Sequence, residues 1–229
     1  MPTIYLVPIW FYQFGILINI LFTLVAGAVA FYSYKIYSLS CQKEIKLFGI
    51  GFLLIALSNL AKVLLFLFSF TNINSKFVGV LLENLNNFGL FLTYSHLALF
   101  TIGIVTLVYA TLRISYLRVY IMLIASSLIP IFLSANKTKS FLILSAIFLF
   151  FIAFYYGKEY IHNKNGKTAL IFIGFVLLFL SKSEVSASSF YLAYLIEQAT
   201  ELLAYAFIAT SLFLLLKTGR KKWTKKEQD

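Results

Sequence analysis

Residues 189–216 read SFYLAYLIEQATELLAYAFIATSLFLLL. These 28 residues carry two charges, Glu197 and Glu201, and neither proline nor glycine. A membrane-spanning helix needs about 20 mostly apolar residues, so the stretch predicts a transmembrane helix with two carboxylates inside it. Tyr194, Glu197, Glu201 and Tyr205 recur at helical spacing and share one face, with Gln198 beside it. Two carboxylates four residues apart repel when both are ionised. A cation between or opposite them, or a proton on one of them, removes that repulsion. Lys62 is the first internal candidate for that cation and Lys182 the second.

Working outward, six more stretches meet the same hydropathy requirement, over roughly 10–34, 47–70, 88–112, 116–135, 141–157 and from 168 onward. The expected fold is an all-α integral membrane protein, a single bundle of seven transmembrane helices. Composition agrees. The 229-residue chain is 61% hydrophobic and 12% charged, with a mean hydropathy of +0.91, against about 45–50% apolar and about 25% charged in soluble domains. Its 25 Phe and 15 Tyr fit a lipid-facing surface with aromatic belts. The single Cys41 excludes a disulfide framework and a cysteine metal site. Two His and the lone Asp229 starve most metal and acid–base chemistries, so no cofactor is expected.

Charge sets the expected orientation. The net charge of +11 would suggest nucleic acid in a soluble chain, but here the positives sort by side. Lys35, Lys43, Lys46, Arg113, Arg118, Lys158, Lys164 and Lys167 lie in alternate loops, and a basic tail at 217–229 joins them. Fourteen of the nineteen Lys and Arg thus fall on one side. The amino end is expected outside and the carboxyl end in the cytoplasm, in a multi-pass protein of the cell membrane. The expected partners are the lipid bilayer, anionic lipid heads at the tail and a second copy of the chain as a candidate oligomer, with no nucleic acid. No cleaved leader is expected, because a positive start is missing and the first apolar stretch is too long. Ala28-Val29-Ala30 reads as small-residue packing. The Asn136-Lys137-Thr138 sequon reads as chance in a tight turn.

A shift of 123 positions lays the chain on itself without a gap from residue 30 to 58. Ala30-Phe31-Tyr32 falls on Ala153-Phe154-Tyr155, Lys35 on Lys158, Ile50-Gly51-Phe52 on Ile173-Gly174-Phe175 and Ser58 on Ser181, with 12 identities in 29 positions. The predicted layout is a parallel 3+1+3 repeat, with halves at 10–112 and 140–216 and a linker helix at 116–135. Spans three and seven are expected to continue it at a shorter offset, with Tyr94 on Tyr205.

A charge at membrane depth costs several kcal/mol and is a functional-site candidate by default. With a rise of about 1.5 Å per residue, Asn19, Asn59, Lys62, His96, Glu197 and Glu201 fall about 12–18 Å in from the outer ends of their helices. One polar layer in the outer half of the membrane is therefore expected, as a cavity among helices 1, 2, 3 and 7. The apolar run of span six stops after Ser181, so Lys182 and Glu184 join the candidates. In the repeat Ser181-Lys182 lies on Ser58-Asn59, and matched interruptions of two halves point to a transporter site. His96, Asn19 and Asn59 also suit interhelical hydrogen bonding. Ser186, Ser188 or Ser189 could cap span seven, and Pro130 is expected to kink span four.

In layout the chain resembles the sugar-transporter and PQ-loop group and the microbial rhodopsins. The first resemblance implies Pro-Gln hinges in both halves, but only Pro2, Pro8 and Pro130 are present. The second implies a retinal lysine midway along span seven, where Tyr205-Ala206-Phe207 has none. Seven-span hydrolases of the ceramidase type need more His and Asp than occur here. Heavy use of Lys, Ile and Asn suggests a prokaryotic or archaeal genome. The expected function is transport or conduction of a small solute or cation, with Glu197 and Glu201 binding a cation or carrying a proton. The alternatives are a ligand-sensing bundle signalling to a separate partner, and a membrane assembly or scaffold subunit. An intramembrane enzyme, resting on His96 near the glutamates, comes last.

Overall fold

The computed structural model describes residues 9–74, 79–114, 116–184 and 191–226, and side chains over 14–67, 88–114, 116–183 and 196–217. Seven helices follow in order: α1 Ile9–Ser40, α2 Lys43–Asn74, α3 Gly79–Leu112, α4 Leu117–Leu133, α5 Lys137–Asn163, α6 Gly166–Glu184 and α7 Tyr191–Lys226. No strand occurs among the described residues. Among the described residues six helices are long and apolar enough to cross a membrane, and α4 is the exception. Its 17 residues span about 26 Å, short of a hydrocarbon core of about 30 Å. The expected seven full spans are therefore six and a shorter one. Helix α7 also runs on to Lys226, so the basic tail expected after residue 216 is helical there. The serines expected to cap span seven lie outside the described residues.

Short connections force neighbours to run antiparallel. Two residues join α1 to α2 and two join α5 to α6. Helices α1, α3 and α5 are each followed by a residue in the left-handed region that is not glycine, namely Cys41, Arg113 and Lys164. This backbone turns the chain at the lysine-rich end, and the Lys164 amide there donates to the Tyr160 carbonyl at 2.8 Å. At the opposite turn Asn136 caps α5 by accepting from the Lys139 amide, which occupies the sequon in helix capping.

Among the described residues the helices close into a ring. Neighbours are α1–α2, α2–α3, α3–α5, α5–α6, α6–α7 and α7–α1, while α4 touches α3 and α5 alone. Aromatic side chains fill the middle. Phe52 on α2 meets Phe175 on α6 at 6.4 Å and Tyr205 on α7 at 6.2 Å, although α2 borders neither helix. Phe22 of α1 meets Tyr205 edge-on at 5.7 Å, and Tyr156 of α5 stacks flat on Phe175 at 5.5 Å. Outer faces instead present Leu24, Phe31, Phe91 and Phe154 as exposed side chains, as lipid contact requires.

Glycines let the ring close tightly. A methyl group at Gly51 would sit 2.8 Å from Leu107 and 3.0 Å from the Gly103 carbonyl oxygen. At Gly174 it would sit 2.6 Å from Ile208 and 3.0 Å from the Ala204 carbonyl oxygen. The α2–α3 and α6–α7 seams thus use one device. A methyl at Gly103 would meet the Gly51 carbonyl oxygen at 2.9 Å, where no side chain can yield. Gly103→Ala is expected to destabilise the bundle by about 1–3 kcal/mol, read as thermal unfolding in detergent. Gly27→Ala, where a methyl meets nothing within 4 Å, is the control that leaves the transition in place.

Candidate functional site

The last described turn of α6 delivers Lys182 to the paired carboxylates of α7. Its Nζ donates to Glu201 Oε2 at 2.6 Å and to Glu197 Oε1 at 3.3 Å. The Tyr205 hydroxyl donates to the other Glu201 oxygen at 3.1 Å. Lys182 and Glu201 are buried to 3% and 1% exposure. The face of Phe100 on α3 lies 5.5 Å from the ammonium and completes its surroundings. One cation thus answers the repulsion that helical spacing imposes on Glu197 and Glu201.

That cation is Lys182, not the first candidate Lys62. Ring order is the reason, since α6 borders α7 and α2 does not. Lys62 is half-buried and within Coulomb range of Lys182, Glu197 and Glu201. It forms no ion pair within 4 Å among the described residues. With both carboxylates ionised the two lysines and two glutamates sum to zero charge.

His96 makes no hydrogen bond to the glutamates among the described residues. Its Nδ1 meets Ser58 Oγ at 2.5 Å, and Ser58 Oγ also lies 3.0 Å from the His96 carbonyl oxygen. The ring packs against Phe100 and Phe141. This is an α2–α3 tie, and the hydrogen bonds of Nδ1 go to Ser58 rather than to Glu197 or Glu201. Ser58 went unread as a site residue, although its repeat mate Ser181 adjoins Lys182.

Among the described residues three buried polar atoms make no hydrogen bond: Asn19 Oδ1, Asn59 Nδ2 and Gln198 Oε1. Each costs about 1–3 kcal/mol if left unsatisfied. Asn19 donates its Nδ2 to the Gly15 carbonyl at 2.7 Å, a bond within its own helix. Asn59 faces the Tyr205 hydroxyl from α2. The unpartnered atoms stand on α1, α2 and α7, three consecutive members of the ring. Asn19, Asn59, Gln198 and Glu201 are all at least 98% buried, so the layer is a packed one around these residues. The side chains of Tyr194 and Glu184 lie outside the described residues.

A cavity of about 560 Å³ lies at the opposite, lysine-rich end, where the outer-half reading did not look. It takes lining residues from all six ring helices, with Phe48, Tyr156 and Ile171 toward the aromatic middle. Glu44, Arg113 and Glu159 bring charge to it. Arg113 read as a topology charge and Tyr155 as belt. The available signal was the presence of two acids, Glu44 and Glu159, in loops otherwise dominated by lysine.

Lys182→Met is expected to destabilise the bundle by about 3–5 kcal/mol, because two buried carboxylates lose their cation. Adding Glu197→Gln and Glu201→Gln to it is expected to recover most of that loss. Thermal unfolding of the single and triple variants in one detergent checks both.

No protein-family model, curated protein or solved structure matches the chain. What the protein does is accordingly read from its buried charges, its cavity and the ring that holds them.

Proposed function

We propose that this protein is a carrier for a small solute or cation in the cell membrane, with its amino end outside and its carboxyl end in the cytoplasm. The observation that carries the reading is a ring of six helices that holds both a cavity and a buried charge network. A cavity of about 560 Å³ occupies one end, and a buried charge network of Lys182, Glu197 and Glu201 lies further in. The aromatic layer of Phe48, Phe52, Phe175 and Tyr205 separates them. A cavity open at one end and a packed polar layer further in suit the resting arrangement of a carrier.

A parallel internal repeat is part of this reading. Exchanging α1, α2 and α3 with α5, α6 and α7 maps every ring contact onto another, and α4 is left over. Gly51 against Leu107 corresponds to Gly174 against Ile208. Large and small residues also trade places. Gly49 approaches Ser33 in one half, while in the other Phe172, its repeat mate, covers Gly157. On this reading the repeat pairs Leu107 of α3 with Ile208 of α7, in place of Tyr94 with Tyr205. His96 then corresponds to Glu197, so the Ser58–His96 tie and the Lys182–Glu197 pair occupy matching seams. Carriers commonly place their site between such halves, at matched breaks in apolar helices.

A neutral charge network costs several kcal/mol of desolvation and stabilises little on its own. Its use is to exchange. On this reading a proton or cation reaching Glu197 loosens the longer of the two Lys182 bonds, and the α6–α7 seam opens with it.

Flux in proteoliposomes, screened over cations, sugars and amino acids, is the direct test. The wild type is expected to carry at least one of these, and the folded Lys182→Met, Glu197→Gln, Glu201→Gln triple variant none above empty liposomes. Equal flux in the triple variant, or none in the wild type, overturns the reading. Orientation has its own check, because Cys41 is the single cysteine and is exposed in the α1–α2 connection. A membrane-impermeant maleimide is expected to label it in inside-out vesicles and not in intact cells.

A further inference from the structure

The cavity at the lysine-rich end has a chemistry of its own, and the geometry points to a binding site for a small zwitterion with an apolar tail, an apolar amino acid being the simplest example. This rests on the carrier reading and names its substrate class.

Opposite charges share the cavity without meeting. Arg113 at the end of α3, Glu44 on α2 and Glu159 on α5 all line it. Among the described residues no ion pair within 4 Å joins Arg113 to either glutamate. The Tyr155 hydroxyl stands within reach of both Arg113 and Glu159 and spaces them across the α3–α5 seam. None of the three is in an ion pair among the described residues, although Glu159 accepts from Asn163 Nδ2 at 3.5 Å, so each can still answer an opposite charge on a guest. Arg113 offers the planar fork that suits a carboxylate, and Glu44 and Glu159 suit an ammonium.

Polarity then orders the guest. The charged groups belong to the helix ends, while Phe48, Ile171 and Leu212 form a buried apolar wall further in. A guest with its charges at one end and an apolar tail at the other matches this gradient tail-first. The volume falls in the range of about 300–1,000 Å³ that small-molecule sites occupy.

Other ligand classes fit less well. Two acids against one Arg leave a net negative lining, which disfavours phosphate or another simple anion. A bare cation leaves Arg113 as a repulsive neighbour. A sugar needs neither charge and finds an apolar inner wall. The charged lining is also where the two halves diverge, since Glu44 corresponds to Lys167 and Glu159 to Ile36. Packing of the repeat therefore does not account for these charges.

The test is calorimetric titration of the full-length protein in detergent. The probes are leucine, valine, methionine and phenylalanine, with leucinamide and N-acetylleucine as analogues lacking one charge each. At least one amino acid is expected to bind, and leucinamide and N-acetylleucine about tenfold or more weaker than leucine, the size of one lost charged hydrogen bond. Arg113→Gln is expected to weaken leucine about tenfold or more and to abolish the preference for leucine over leucinamide, which a purely structural role would preserve. The proposal is overturned if no amino acid binds the wild type, if the analogues bind as well as leucine, or if Arg113→Gln retains the preference. Should that variant not fold, the wild-type comparison of leucine with its two analogues decides alone. Flux of a cation or sugar without amino-acid binding would remove this substrate class and leave the carrier. Amino-acid binding with no flux of any solute would do the reverse.

Discussion

One ammonium shared by two carboxylates organises the interior of this bundle. Glu197 and Glu201 stand one helical turn apart in an apolar helix, and neither can remain ionised there without a cation. Lys182 supplies it, at 2.6 Å and 3.3 Å. The pairing requires α6 to lie against α7 and to bring its last turn to the level of Glu201. Tyr205 then hydrogen-bonds the second Glu201 oxygen, and its ring becomes the hub against which Phe22 and Phe52 pack. Polar and aromatic layers are therefore joined through a single side chain.

The ring around that hub explains why α4 differs from the rest. Six helices suffice to enclose the aromatic middle, and α4 contributes no side chain to the cavity. It connects the end of α3 at one side to the start of α5 at the other, which keeps α5 parallel to α1. A linker of that kind needs only to carry the chain from one end of the ring toward the other, and it is the shortest of the seven helices. Its tie to the ring includes a Tyr120–Thr106 hydroxyl contact at 2.9 Å.

Several features of the site were legible beforehand. The shared face of Glu197, Glu201 and Tyr205 follows from helical spacing, and the break in span six at Lys182 follows from hydropathy. The position of His96 did not follow. Its depth matched the glutamates, but depth says nothing about direction around the helix axis, and its ring turns to Ser58 on α2. The cavity at the lysine-rich end was equally hidden. Glu44, Arg113 and Glu159 lie at three separate helix ends, and nothing in their chain positions says that those ends face one space.

By itself the sequence determined that this chain forms long apolar helices, that its charges collect at one end, and that a few polar residues are stranded within. These are properties of short windows, because hydropathy and charge are summed along the chain. Only the tertiary structure decided that Lys182 rather than Lys62 pairs with the glutamates, that six helices form the ring while α4 stays outside it, and that the charged cavity opens at the lysine-rich end. Each of these depends on which helices become neighbours and how each is rotated about its own axis. Side-chain packing across the ring sets both, with Phe52 meeting Phe175 and Gly174 admitting Ile208.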